Sequence, residues 1–149
     1  MLFRFTALVV LLASLSQLAN AADDEVSVFF QSCMSSGSKF ENLGEKMTQL
    51  GFEGTGGQSW VRKTDSVSVM VVDREDRRVC LVGQTGDHVS RYTAEIQKVL
   101  NTDFSGNWQA KSYQGHVLYL VRKETELFLL EVIPPMGATT FMAANARKN

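Results

Sequence analysis

The 149-residue chain carries 15 basic and 16 acidic residues, 44% hydrophobic residues and two cysteines. A charge balance this close to neutral lacks the basic footprint that nucleic-acid binding needs. The length suits one domain with a core of its own, which needs no metal staple.

The first segment reads as a targeting signal. Arg4 precedes an apolar run from Phe5 to Ala13, broken only by Thr6 and extended by Leu15 and Leu18. Ala19-Asn20-Ala21 then offers a small-x-small cleavage site, followed by the acidic Asp23, Asp24 and Glu25. This order defines a cleaved secretory signal over residues 1–21. The competing reading is an uncleaved anchor, but the dense run is too short for about 30 Å of hydrocarbon. The short basic region suggests bacterial export, hence a periplasmic or secreted product. No cysteine stands at the cleavage point, which argues against a lipoprotein. No later apolar run is long enough to span a membrane.

The working domain is then residues 22–149. Its two cysteines, Cys33 and Cys80, form an even count in an oxidising compartment and read as one disulfide, against the alternative of two buried thiols. Without a CxxC pair, thioredoxin-type chemistry is not expected.

Val26, Phe29, Phe30 and Cys33 fall at helical spacing and predict a short first helix. Ser38-Lys39-Phe40-Glu41 has the capping-box pattern and opens a second helix with the stripe Phe40, Leu43, Met47 and Leu50, unless both segments form one kinked helix. Gly51 predicts a left-handed stop, with Phe52 packed back on the last turn. Gly51 to Gly57 reads as a flexible connection. Strands follow over 59–63, bearing Trp60, over 66–73 and over 78–83, with the charged run Asp73 to Arg78 as a hairpin end.

Asp87 caps a predicted helix from His88 to Leu100 with the stripe Val89, Tyr92, Ile96 and Val99. Further strands are predicted over 107–112, bearing Trp108, over 116–122 and over 127–133, ended by Pro134-Pro135. Residues 138–144 add a short edge strand, and 145–149 fray. Trp60 and Trp108, like Val67 and Val117, recur at matching places, which suggests an internal duplication of an α-β-β-β unit. The expected fold is α+β: an antiparallel sheet of six to seven strands, two main helices and a short N-terminal one.

A cysteine on a helix (Cys33), a Gly-aromatic helix stop (Gly51-Phe52), a tryptophan strand (Trp60) and a cysteine strand (Cys80) together resemble small uncharacterised exported proteins of proteobacteria. The resemblance spans most of the exported chain. It implies location and a disulfide and carries no activity across.

Motifs for chemistry are sparse. His88 follows Asp87, and Ser90 or Ser112 completes a Ser-His-Asp composition, but no G-x-S-x-G elbow supports it. His88 in a first helical turn and His116 at a strand start have simpler structural readings. Asp73, Glu75 and Asp76 would attract Ca²⁺ were Arg74, Arg77 and Arg78 not among them. Gly51, Gly54, Gly56 and Gly57 follow a helix instead of opening one, so they make no phosphate cradle. No pattern places two carboxylates in one cleft for glycoside chemistry. No catalytic residue, metal site or cofactor is assigned.

Surfaces remain. Trp60, Trp108, Tyr113 and Tyr119 are large amphipathic groups that either complete the core or line a binding face. Met136, Phe141 and Met142 make the tail an edge strand or a docking element. The expected function is a non-enzymatic binding or accessory protein of the bacterial periplasm, its partner another periplasmic or envelope protein. The alternatives are a small hydrolase built around Asp87 and His88, or a carrier of an apolar ligand held between helices and sheet.

Overall fold

A computed structural model of the chain describes residues 24–37 and 39–147. The signal segment at residues 1–21 and the cap at Ser38 lie outside them. Asp24 opens the first helix, its carboxylate accepting the Ser27 N–H at 2.7 Å. Helix α1 (Glu25–Phe29) runs on as a π-helical turn (Phe30–Met34). Here the Ser32 hydroxyl donates back to the Val28 carbonyl at 2.6 Å and the Ser35 hydroxyl to that of Gln31, so side chains compete for carbonyls the helix would otherwise use. Val26, Val28, Phe29 and Cys33 are buried.

The second helix opens later than the capping pattern predicts. Residues 39–42 are turns, and helix α2 (Leu43–Gln49) begins behind them. Phe40 is buried and takes a left-handed backbone (φ 53°), so its burial sets the turn, while Glu41 stays exposed beside Lys39. The end of α2 is as expected. Gly51 has φ 81°, its N–H donates to the Thr48 carbonyl at 3.1 Å, and the N–H of the buried Phe52 reaches that of Met47 at 2.9 Å.

Eight strands follow, two more than the lower sequence count: β1 (Glu53–Gly56), β2 (Ser59–Arg62), β3 (Val67–Asp73), β4 (Arg77–Thr85), β5 (Trp108–Tyr113), β6 (His116–Lys123), β7 (Glu126–Met136) and β8 (Thr139–Arg147). Helix α3 (Val89–Asp103) lies between β4 and β5, its first N–H held by Asp87 Oδ1 at 3.2 Å. The class is α+β. The strands form one antiparallel sheet in the order β1-β2-β3-β4-β8-β7-β6-β5.

Two expectations are corrected. The glycine-rich connection holds β1, which pairs with β2 through a register shift at Gly54/Gly56. Residues 138–144 are not an edge: β8 is central, between β4 and β7, and extends to Arg147. Alanines 143, 144 and 146 are poor strand markers by type, yet their small side chains let this strand sit flush under its neighbours. Pro134-Pro135 do not end β7. A register shift between Ile133 and Met136 accommodates them.

Each half of the sheet is a meander of four strands preceded by a helix, α2 or α3, and the halves meet at β4·β8. Trp60 lies in the second strand of its half and Trp108 in the first of the other, so the two tryptophans are not equivalent in this topology.

The helices cover one face. Helix α1 packs on β4, α3 on β7 and α2 against β1. Beneath them runs the row Val71, Cys80, Ala144, Leu130 and Tyr119, set by strand register. Cys33 reaches this row and is bonded to Cys80, with Cα atoms 5.5 Å apart. The disulfide thus clamps the N-terminal helical segment to the centre of the sheet.

Candidate functional site

Alternation places the next residue of each strand on the opposite face. There Met70, Leu81, Ala143, Glu131 and Leu118 form one row across β3, β4, β8, β7 and β6. Val72, Val79, Asn145, Leu129 and Leu120 form the next. Gly83, Phe141 and Ile133 continue the face on one side, and Arg77, Arg147, Leu127 and Arg122 end it on the other. No described helix or loop packs on this face, and its large side chains are partly exposed, Leu127 by 57%. A sheet with one solvated face ordinarily alternates apolar with polar. Here both faces are apolar.

Phe141 packs closely on the sheet. Its ring lies on the bare backbone of Gly83, where an added methyl would collide with it. Two grooves, of about 680 and 450 Å³, sit where the face meets the β3–β4 and β6–β7 ends, and both include Leu120 and Leu127. Charge is confined to the margin, apart from Glu131. Asp76 and Arg77 pair at 3.0 Å. The hydrogen bond from Arg77 holds the Asp76 carboxyl below its usual range, and the same bond, then the Asp76 charge, raises Arg77, with Glu131 adding to it.

The surface candidates from the sequence separate by face. Tyr119 is fully buried under the helices, its hydroxyl accepting from Gln97 Nε2 of α3 at 3.1 Å. Trp108 is partly buried against it, ring centroids 6.0 Å apart. Trp60 is partly buried and neighbours Gly44 of α2 and Gly54 of β1. Tyr113, 62% exposed on β5, alternates with Trp108 and so belongs to the outer face. In the tail, Phe141 lies on the outer face, Met142 is buried beneath the helices, and Met136 is 67% exposed at the β7–β8 turn.

The histidines have structural partners. His88 Nε2 lies 3.0 Å from the Thr85 carbonyl, and the His88 N–H donates to Thr140 Oγ1 at 3.0 Å. His88 thereby ties the β4–α3 connection to β8. Asp87 is occupied at the helix start. His116 is exposed opposite Tyr113, and Ser90 and Ser112 are exposed. Among the described residues neither histidine hydrogen-bonds a serine. Asp73 pairs with Arg78 at 2.8 Å. Gly56 ends β1 and Gly57 opens the β1–β2 turn, both with positive φ.

One buried polar group stands apart. Glu25, 7% exposed, binds Arg91 at 3.0 Å, and the Arg91 guanidinium lies over the Tyr92 ring at 4.8 Å. The Tyr92 hydroxyl is buried with no hydrogen-bond partner among the described residues. Burial pushes this phenol well above its usual range, and Glu25 pushes the same way. The neutral phenol is therefore favoured in the folded chain. Its contribution is present below the ordinary phenol pKa of about 10 and is lost as pH rises above it. Tyr92→Phe is expected to leave stability at pH 7 unchanged or raise it by up to about 1 kcal/mol, and to shrink the alkaline loss. Tyr119→Phe, which breaks the Gln97 bond, is expected to cost about 1 kcal/mol. Thermal melts of both variants at pH 7 and above pH 10 check this.

The chain matches no family model, no curated protein and no solved structure. The outer face is absent from the sequence-level candidates apart from Tyr113 and Phe141. Its signal was in plain order along the chain: Val79 to Val82, Val117 to Val121 and Leu127 to Leu130 are apolar at both alternations. Unbroken apolar strands are the mark of a sheet covered on both sides.

Proposed function

We propose that this chain is an exported, non-enzymatic binding or accessory protein of the bacterial periplasm, and that it docks through the outer face of its sheet. The observation that carries this reading is the apolar character of that face opposite the helix-covered one. Monomeric proteins rarely expose contiguous apolar patches beyond a few hundred Å². A face this wide, bordered at one end by arginines, has the anatomy of an interface: an apolar centre with charge at its margin. Export is supported by the signal pattern of residues 1–21 and by the Cys33–Cys80 disulfide, which suits an oxidising compartment. Among the described residues no helix is long and apolar enough to cross a membrane. The helix-plus-four-strand order of both halves supports an internal duplication, with β4 and β8 as equivalents instead of the tryptophan strands.

Methionine labelling tests the docking reading. Met70 lies on the outer face in β3, beside Leu81 of β4, Met136 is 67% exposed, and Met47 and Met142 are fully buried. Cells expressing the full-length chain are oxidised briefly and the peptides weighed. Met70 is expected to be protected like Met47 and Met142, and to become reactive in a Leu129→Asp variant. Equal Met70 reactivity in wild type and variant contradicts the reading.

A further inference from the structure

We infer that the occupant of the outer face is a second copy of this chain, packed sheet to sheet about a twofold axis; this rests on the docking reading above. Size is the first argument. The four outward rows cross five strands, β3, β4, β8, β7 and β6, at about 4.8 Å spacing, so the face measures roughly 25 by 25 Å, on the order of 600 Å² in projection and more as accessible surface because its side chains stand out from the sheet. A stable interface takes about 800 Å² from each partner. The face is broad, and two sheets pack face to face with strands aligned.

Charge chooses the axis. A twofold along the strands, above the β4–β8 seam, exchanges β4 with β8. It sets Arg77 against the partner's Arg147 and gathers four arginines. A twofold across the strands exchanges rows instead. Leu81 then meets the partner's Val79, Met70 meets the partner's Val72, and Leu118 meets the partner's Leu120. Each contact occurs twice, as a closed dimer requires. Phe141 lies under the partner's Arg147, a cation–π arrangement. Glu131, the one charge within the apolar rows, falls opposite the partner's Leu129, within a side chain's length of the partner's Arg147. The second axis separates the like charges and gives Glu131 a cation, which an interface needs if it is to bury a carboxylate.

Sedimentation equilibrium of the protein, expressed from its full-length sequence and purified as processed, tests this over roughly 1 to 100 µM. The wild type is expected to be a dimer in this range. Leu129→Asp is expected to weaken it by about 100-fold or more, because each dimer then buries two unpaired carboxylates. Glu131→Arg is expected to weaken it by about tenfold or more, and Arg147→Glu added to it to restore association. This charge exchange decides the matter should Leu129→Asp fail to fold, since misfolding is not rescued by a second charge reversal. A wild type that stays monomeric throughout overturns the inference, as does a dimer that survives Leu129→Asp with its melting intact. Met70 protection in cells together with a monomer in the centrifuge refutes self-association alone and leaves the face to another protein.

Discussion

Replacing both Cys33 and Cys80 by alanine is expected to cost about 4 kcal/mol of folding stability on the chain-entropy account. The bridge closes a loop with a sequence separation of 47 residues. That loop contains α2, β1, β2, β3, the whole charged β3–β4 turn and the start of β4, so the open chain gains freedom across about a third of its length. The bridge also binds the turn Phe30–Met34 to the central strand β4, and both cysteines are fully buried. Alanine leaves small gaps there in place of the sulfurs. For a domain of this size the loss lowers the melting temperature by roughly 12–20 °C. Thermal melts of the double variant and of wild type with and without reductant measure it. A shift of only a few degrees would mean that the helical segment is held by packing alone.

Two neighbours in β7 give the second large effect. Leu130 is fully buried under the helices, in the row with Tyr119 and Ala144, while Leu129 points to the outer face beside Leu120 and Asn145. Leu130→Asp places a carboxylate in the core without a partner, at a cost of about 4–5 kcal/mol or more. Native stability is about 5–15 kcal/mol in all, so much of the folded population is expected to be lost. Leu129→Asp leaves its carboxylate in water on the isolated chain and is expected to cost about 1 kcal/mol through lost cross-strand contact. Circular dichroism should show a folded Leu129→Asp protein and a largely unfolded Leu130→Asp protein. Equal damage from both would mean that the outer face is part of a sealed core.

Much of this architecture was legible because local rules and tertiary packing agreed. Asp87, the stripe Tyr92–Ile96 and the Gly51 stop each act through neighbours a few residues away, and all appear where the pattern puts them. The β3–β4 hairpin follows from the alternation of Val67, Val69 and Val71 and the charged run behind it. The disulfide followed from compartment and count. What was not legible depends on distant partners. The segment Glu53–Gly56 has two glycines in four residues and is a strand only because β2 pairs with it. The central place of β8 cannot be read from Ala143, Ala144 and Ala146, whose value lies in being small between β4 and β7. Phe40 takes a left-handed backbone because the core accepts its ring, against the capping pattern around it.

For the candidate site, residue type misled where face decided. Trp60, Trp108 and Tyr119 drew attention as large amphipathic groups, yet all three lie with the helices, and Tyr119 is wholly inside. The outer face is made of leucines, valines and a methionine, which single out no chemistry. Their meaning comes from register, which assembles them into rows, and from the absence of a described element above them. The same register sets Glu131 inside an apolar row, between Ala143 and Leu118.

The outer face is expected to be a contact surface in the cell. A photo-reactive side chain at position 129, on the outer face, and another at position 98, on the exposed side of α3, test it in cells expressing the full-length chain. A discrete crosslinked product is expected from position 129 and none from position 98. No product from 129, or the same products from both positions, would contradict a contact surface there.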